Sequence, residues 1–322
     1  MSEVQDFVRL WKFFNWSARM SPKFADIEDH MEAQSAELNS LRADVSAMRR
    51  QIAEIRSLVG PFGVSFQDGT VLVQTLHGTK FFVDSNDLVM TPQLIAYRQW
   101  EAGLTSFLID SLGPDDVFID VGANFGYFTV LAASRIGRGG SGRVVSIEPN
   151  PNIVALLRRN VVINWSMSPV DIHQVAASES PGVAHLYIPG SGAANASLAR
   201  LSHEGIDILV ETRDLDAVVG PGLRVDYMKI DIEGFELFAL KGARQLLERS
   251  PAITLIIEWS VGQMRTAGVL PTDLLDYLSS LGFRPFSLPP TAVRDESGWA
   301  HLVQTMESVL ATDYDNLIFR RV

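Results

Sequence analysis

The chain contains no cysteine and no long apolar segment among its 322 residues. Without cysteine it can form neither disulfides nor thiolate metal sites, which agrees with a reducing compartment. No apolar run approaches the ~20 residues needed to span a bilayer, and the first residues lack the apolar core and cleavage site of a secretory signal. We therefore expect a cytoplasmic protein.

The chain contains fewer basic than acidic side chains, with 27 Lys and Arg and 38 Asp and Glu. Its formal net charge is −11. Nucleic acids bind clusters of Lys and Arg, so we expect no nucleic-acid partner. A hydrophobic content of 47% is enough for one sizeable core and an accessory segment.

Residues 1–23 form an aromatic and basic segment. Its aromatic residues Phe7, Trp11, Phe13, Phe14 and Trp16 lie among Arg9, Lys12, Arg19 and Lys23. Such a helix can lie in a membrane interface, which would make the protein membrane-peripheral. It can also dock on its own domain or on a neighbouring subunit, and the nearly contiguous apolar residues favour docking.

Residues 24–60 carry a seven-residue apolar repeat. One seam position holds Phe24, Met31, Leu38, Val45, Ile52 and Val59, and the other holds Ile27, Gln34, Leu41, Met48 and Ile55. Ten of these eleven residues are apolar, and such a repeat predicts a left-handed coiled coil. Because one helix cannot bury this stripe alone, we expect a homo-oligomer, either dimeric or trimeric. The alternative is a long helix folded back on its own domain.

Residues 61–112 lead into the main domain. Alternating runs at 64–66, 70–75 and 79–83, separated by turn residues, predict a small β-meander. The stretch 91–112 is predicted to be a helix that closes over the first strand of the next domain. Trp100 and Glu101 in this stretch are candidate site residues, although a structural role is favoured.

Residues 113–322 alternate between strand-like and helix-like stretches. The strand candidates are 116–121, 143–148, 170–175, 225–231, 252–258, 282–288 and 315–321. They predict an α/β fold with a Rossmann-like sheet of seven mostly parallel strands, helices on both faces and an antiparallel closing hairpin. Ligands of such sheets bind beyond the carboxyl ends of the strands.

The stretch DVGANFG, which starts at Asp120, follows an apolar strand and opens a helix, and Glu148 ends the next strand. Gly122 and Gly126 permit a tight turn and close approach of a ligand. Glu148 can accept hydrogen bonds from both hydroxyls of a ribose. Non-glycine residues occupy two glycine positions of the dinucleotide pattern G-x-G-x-x-G, which disfavours NAD and FAD. S-adenosylmethionine, with a ribose and adenine but no phosphate, fits better.

The motifs DVGANFGYFT, SIEPNP and MKIDIEGFELFALKGA, followed by an apolar strand that ends at Glu258, resemble those of the FkbM-type class I methyltransferases. The resemblance covers roughly residues 81–322 and leaves the N-terminal segment outside. It implies S-adenosylmethionine as the cofactor. The implied cofactor-binding residues are Asp120, Gly122, Ala123, Asn124 and Gly126 around the methionine part, Glu148 on the ribose, and Pro149 and Ala177 near the adenine, with Asp231 as a further candidate for the ammonium.

The candidate catalytic residues are Asp231, Glu233, Glu258 and Lys229. Asp231 and Glu258 end strands where methyl donor and acceptor must meet, so either could hold an acceptor hydroxyl or act as its base. Lys229 lies on the same strand face as Asp231 and could lower its pKa. Glu233 could merely favour a helix N-terminus. His203, in an insertion at 190–205, is a further candidate base, although a surface role is favoured. Asp231, Glu233 and Glu258 could instead bind Mg²⁺, but they lack a diagnostic spacing and no metal is expected.

The leading hypothesis is therefore an S-adenosylmethionine-dependent O-methyltransferase that acts on a hydroxyl of a glycan, glycolipid or secondary metabolite. One alternative is a non-catalytic oligomeric scaffold with a vestigial methyltransferase fold. Another is a nicotinamide-dependent oxidoreductase, which the failed glycine pattern disfavours. The sequence does not identify the acceptor.

Overall fold

The computed structural model describes residues 34–35, 37–52, 55, 63–137, 139–165, 168–189, 196–198, 205–288 and 305–321. The chain divides into two units, Met1–Gly60 and Pro61–Val322. The aromatic segment 1–23 lies outside the described residues. None of the described helices is long and apolar enough to cross a membrane.

In the first unit the described residues are helical at 34–35, 37–52 and 55, a stretch we call α1. The predicted seam residues of this helix have exposed side chains. These are Leu38, Leu41, Val45, Met48, Ile52 and Ile55, whose exposure ranges from 48% to 61%. The helix is thus observed, while its assembly into a coiled coil stays a prediction.

The second unit begins with an antiparallel sheet of β1 (Val64–Ser65), β2 (Thr70–Gln74) and β3 (Lys80–Asp84), which confirms the meander. Two helices follow, α2 (Met90–Tyr97) and α3 (Ala102–Ser111). The prediction of one helix over 91–112 was wrong, because Arg98 (φ 57°) and Glu101 (φ 40°) adopt left-handed backbone conformations that interrupt it.

The main sheet confirms the predicted seven strands, in the order β12-β13-β11-β10-β4-β5-β6. The elements, in chain order, are β4 (Val117–Val121), α4 (Tyr127–Ile136), β5 (Arg143–Ile147), α5 (Pro151–Ile163), β6 (Val170–His173), β7 (Ala176–Ala177), β8 (Gly182–Pro189), β9 (Gly205–Arg213), α6 (Leu215–Val219), β10 (Tyr227–Ile230), α7 (Glu236–Lys241), α8 (Arg244–Arg249), β11 (Thr254–Ser260), α9 (Val261–Thr266), α10 (Pro271–Ser280), β12 (Phe283–Ser287), α11 (Met306–Leu310) and β13 (Tyr314–Arg321). Strand β13 runs opposite in direction to the other six strands of this sheet, and it forms the predicted closing hairpin with β12.

Strand β4 is buried at every position, as expected for a central parallel strand covered on both faces. Ile119 and Val121 pack into the core on one face of the sheet, whereas Phe118 packs into the core on the other. Side chains alternate along a strand, so Asp120 lies on the same face as Phe118, with Lys229 of β10 beside it in register. The hydrophobic pattern of these strands therefore places two ionisable side chains, Asp120 and Lys229, in the protein interior.

A third sheet, with the order β7-β9-β8, was not predicted from the sequence. In this part of the chain the sequence predicts only an insertion at 190–205. The β-branched residues Ile206, Ile208 and Val210 at alternate positions were the available signal, but Leu209 interrupts the polar alternation and only Val210 of these three is buried. His203 lies outside the described residues.

Candidate active site

The carboxyl ends of β4, β5, β10 and β11 open into a cavity of about 380 Å³. Small-molecule sites typically occupy ~300–1,000 Å³. Most of the site residues predicted from the sequence line this cavity, namely Gly122, Ala123, Asn124, Glu148, Pro149, Ala177, Lys229, Asp231, Glu233 and Glu258. The structure does not place Asp120 or Gly126 among the lining residues.

The loop after β4 turns at Gly122 (φ 81°), Asn124 (φ 52°) and Gly126 (φ 94°), all left-handed. A Cβ on Gly122 would lie 1.9 Å from the carbonyl oxygen of Asp231, and one on Gly126 would lie 2.3 Å from Cδ1 of Leu157. Packing within the protein therefore requires both glycines, where the sequence had suggested close approach of a ligand. The turn holds this loop against the end of β10.

Glu148 follows β5 directly and is 7% exposed. Its Oε1 accepts a hydrogen bond from the backbone N–H of Asn150 at 2.8 Å, and its Oε2 accepts one from the N–H of Asn124 at 3.0 Å. Each carboxylate oxygen has about two acceptor positions, so one on each oxygen remains for a ligand. Burial raises the pKa of Glu148 to about 7, against the effect of the two N–H donors.

Asp120 lies behind the cavity wall. Its Oδ2 accepts a hydrogen bond from Oγ1 of Thr129 on α4 at 2.6 Å, and its Oδ1 is buried with no hydrogen-bond partner in the part of the chain that the structure describes. Burial raises the pKa of Asp120, while Lys229 acts in the opposite direction. Asp120 therefore ties α4 to β4 and faces the lysine.

Lys229 and Asp231 form the ion pair that strand alternation suggested, with Nζ 2.7 Å from Oδ2. Lys229 is only 2% exposed, and its Nζ lies 5.0 Å from the centre of the Phe128 ring. Burial alone would lower the pKa of Lys229, but nearby carboxylates, Asp231 first among them, hold it above its ordinary value. The lysine stays protonated, and it holds the pKa of Asp231 below the ordinary range although burial opposes this.

Glu258, near the end of β11, is held in its neutral form. Burial and the adjacent Asp231 carboxylate raise its pKa to about 11. The hydroxyl of Tyr314 on β13 donates to Oε1 of Glu258 at 2.8 Å. Since two close carboxylates cannot both ionise easily, Asp231 carries the charge and Glu258 the proton.

Glu233 has a left-handed backbone with φ 59° and is fixed by its surroundings. The side-chain amide of Gln263 on α9 donates to its Oε2. Oε1 of Glu236 accepts from the N–H groups of Ile232 at 3.2 Å and Gly234 at 3.1 Å, so the turn is held from both sides. Burial raises the pKa of Glu233 to about 8, and the negative charge of the nearby Asp231 contributes in the same direction.

Several lining residues were not predicted from the sequence. They are Tyr127, Phe128, Phe235, Gln263 and Tyr314, and they join the earlier candidates Trp100 and Glu101. Tyr127, Phe128 and Phe235 lie within the quoted motifs, whereas Gln263 and Tyr314 lie outside them and reach the cavity only in the folded chain. Ser197 also lines the cavity, and its Oγ donates to the carbonyl oxygen of Glu233 at 3.1 Å.

Asp231, Glu233 and Glu258 each offer an oxygen atom within 4.8 Å of the others, a spacing that could hold a metal ion. Lys229 already neutralises Asp231, and a proton neutralises Glu258. The expectation that no metal is required stays a prediction.

The fold and the cavity define an α/β protein with a small-molecule site at the carboxyl edge of its sheet. The family model described as "Methyltransferase FkbM domain" matches residues 120–285, and the chain belongs to this methyltransferase family. The resemblance seen in the sequence is therefore confirmed.

The individual proteins that this chain resembles share low sequence identity with it. "Methyltransferase 1" of Beauveria bassiana (strain ARSEF 2860) is 28% identical over 151 residues, which cover 40% of this chain and 59% of that protein. The chain thus spans less than two thirds of this curated relative. Among solved structures, M. jannaschii TYW2 in complex with AdoMet is 12% identical, with a TM-score of 0.42 over 80% of this chain and 90% of that chain. Trm5b from Pyrococcus abyssi is 11% identical, with a TM-score of 0.40 over 80% and 57%. Scores of this size carry no conclusion about this chain.

The buried carboxyls predict an unusual dependence of stability on pH. Burial raises the pKa of Glu101, Glu148 and Glu236 to about 7 and that of Glu233 to about 8, from an ordinary 4.5. A carboxyl with a raised pKa binds its proton more tightly in the folded state. Its stabilising contribution is complete below the unfolded pKa and is lost as pH rises through the folded pKa.

The ligand-free protein should therefore have a lower melting temperature at about pH 8 than at about pH 5.5. Thermal melts across this range measure the effect. Glu233→Gln should flatten the dependence, whereas Glu248→Gln, at a side chain that is 59% exposed, should leave it unchanged. A melting temperature that rises steadily with pH would contradict these charge states.

Proposed function

We propose that the protein is an S-adenosylmethionine-dependent O-methyltransferase whose acceptor is an uncharged, hydroxyl-rich molecule such as a glycan, a glycolipid or a polyhydroxylated secondary metabolite. The observation that carries this proposal is the carboxylate of Glu148, which keeps one open acceptor position on each oxygen at the cavity wall. A ribose presents two neighbouring hydroxyls, which match these positions.

The charge of the cavity supports the same cofactor. Its ionisable lining residues other than tyrosine, within the described part of the chain, are the carboxyl groups of Glu101, Glu148, Asp231, Glu233 and Glu258 and the ammonium of Lys229. Because the lysine is already paired, the cavity favours a cation over a pyrophosphate. S-adenosylmethionine carries a sulfonium and an ammonium, and its sulfonium supplies the methyl group.

The acceptor class follows from the same lining. Carboxyl groups accept hydrogen bonds from hydroxyls and repel phosphate or carboxylate groups. The rings of Trp100, Phe235 and Tyr314 also line the cavity, and they offer apolar faces to a sugar ring. A neutral polyol satisfies both features.

A non-catalytic scaffold is less well supported. A vestigial cavity has no need to keep several carboxyl groups away from water, since each such group is expensive to bury. The nicotinamide alternative is disfavoured further, because a pyrophosphate would face this acidic lining.

Calorimetric titration with S-adenosylmethionine and S-adenosylhomocysteine tests the cofactor. We expect micromolar binding of both by the wild type. Glu148→Ala should weaken both by ~100-fold, since it removes two charge-assisted hydrogen bonds. Glu248→Ala is the matched surface control and should bind normally.

Failure of the well-folded wild type to bind either compound, or unchanged binding by Glu148→Ala, would contradict the proposal. Transfer of labelled methyl groups to neutral glycosides and glycolipids, but not to their phosphorylated counterparts, is the expected outcome of an acceptor screen. Methylation of phosphorylated acceptors alone would overturn the proposed acceptor class.

We further propose that α1 joins copies of this chain. Leu41, Val45 and Met48 lie at heptad seam positions, are largely exposed, and repeat with the spacing that a second copy would match. A helix from another copy is therefore the occupant that fits this stripe.

Leu41→Lys should shift the protein towards the monomer in sedimentation velocity, because it places a charge in the seam. Ala43→Lys, two residues along at an outward-facing heptad position, is the control and should leave the assembly intact. A wild-type chain that is monomeric at micromolar concentration would contradict this proposal.

A further inference from the structure

Glu101 lines the cavity but lies outside the segment matched by the family model. Its backbone is left-handed at φ 40°, ψ 70°, although it is neither glycine nor asparagine. Such a conformation costs ~1–2 kcal/mol and persists only where the surroundings enforce it. Here it turns the chain between α2 and α3 and places the carboxyl group at the cavity wall.

One oxygen of the Glu101 carboxyl group lacks a hydrogen-bond partner. The side chains of Asn316 and Trp100 act to lower the pKa of this carboxyl group. Its Oε2 atom is nevertheless buried and has no hydrogen-bond partner among the described residues. A buried acceptor without a partner is costly, so a donor from a bound molecule would remove that cost.

Glu101 faces the half of the cavity away from Glu148. The charged groups that act on it are Lys229 and Asp231 at the end of β10, and it in turn acts on Tyr127 of α4 and Tyr314 of β13. In the sheet, β5 is separated from β10 by β4, and neighbouring strands lie ~4.8 Å apart. A ribose held at β5 therefore leaves the β10 side, where Glu101 lies, for the reacting groups.

The other carboxyl groups on that side are already engaged. Asp231 is paired with Lys229, and Glu258 retains its proton next to Asp231. Oε2 of Glu233 accepts from the Gln263 amide. Both Glu101 and Glu258 have a buried oxygen without a hydrogen-bond partner at this end of the described cavity lining, but Glu258 already carries a proton and cannot act as a base. Burial raises the pKa of Glu101 to about 7, near the optimum for a general base.

On the basis of the proposed function, we propose that Glu101 binds the acceptor hydroxyl and takes its proton during methyl transfer. The acceptor oxygen forms a bond to the methyl carbon of S-adenosylmethionine, and the bond from that carbon to sulfur breaks. The electron pair of the broken bond stays on sulfur, which becomes the neutral thioether of S-adenosylhomocysteine. The hydroxyl proton passes to Oε2 of Glu101 and from there to water.

The test compares two ligands that differ in the sulfonium charge. An ionised Glu101 attracts the sulfonium, so the affinity for S-adenosylmethionine relative to S-adenosylhomocysteine should rise roughly fivefold or more between about pH 6 and pH 8. Both ligands place the same ribose on Glu148, so the titration of Glu148 cancels in this ratio.

Glu101→Gln should bind both ligands but lose this pH dependence. Asp116→Asn makes the same carboxyl-to-amide change at the opposite end of β4 and should retain it. On the acceptor found by the screen, Glu101→Gln should lower kcat by ~10²–10⁴-fold without raising the KM for the cofactor. Glu101→Gly, which also relieves the left-handed backbone, should fold normally and show the same two losses.

The outcomes separate this inference from the proposed function. If the wild type binds neither ligand, the proposed function fails. If both ligands bind and the pH-dependent ratio survives in Glu101→Gln, or disappears in Glu233→Gln instead, the role of Glu101 is wrong while the cofactor assignment stands. A variant that loses affinity equally at every pH would show that Glu101 is structural.

Discussion

One buried cation, Lys229, interacts with the carboxyl groups around it and keeps one of them, Asp231, ionised. The lysine is 2% exposed and faces carboxyl groups from three parts of the chain, on Asp120, Asp231 and Glu101. Removing such charges from water costs several kcal/mol per ion unless they are paired. The lysine keeps Asp231 ionised, and burial together with repulsion from Asp231 keeps a proton on Glu258. The acidic cavity can exist because this lysine lies beneath it.

Backbone strain is concentrated in the same place. The non-glycine residues with positive φ in the described chain are Arg98, Glu101, Asn124 and Glu233, and all but Arg98 line the cavity. Strained residues persist where neighbouring contacts hold them, as the Glu236 carboxyl group holds the turn at Glu233. Two independent costs, buried charge and backbone strain, thus coincide at one cavity, which favours a site kept for function over one kept for packing.

The sequence predicted those parts of the molecule that depend on local patterns. Strand alternation predicted the pairing of Lys229 with Asp231, and the position of Glu148 after its strand predicted its place at the cavity. Glu101 was predicted only as a candidate with a structural role favoured, and Tyr314 was not predicted, because a left-handed turn and the return of β13 beside β11 bring them to the site from distant segments. Asp120 was predicted to bind the cofactor because it lies in the motif at the end of a strand, but its side chain lies behind the cavity wall.

The most direct test of this account is a double-mutant cycle on Lys229→Met and Asp231→Asn, measured by urea unfolding of the ligand-free protein. Lys229→Met alone should cost ~3–5 kcal/mol, because it leaves a buried carboxylate unpaired. Adding Asp231→Asn should recover a substantial part of that loss, so that the two changes couple strongly. Free energies that add within ~0.5 kcal/mol would contradict the central place given to the lysine.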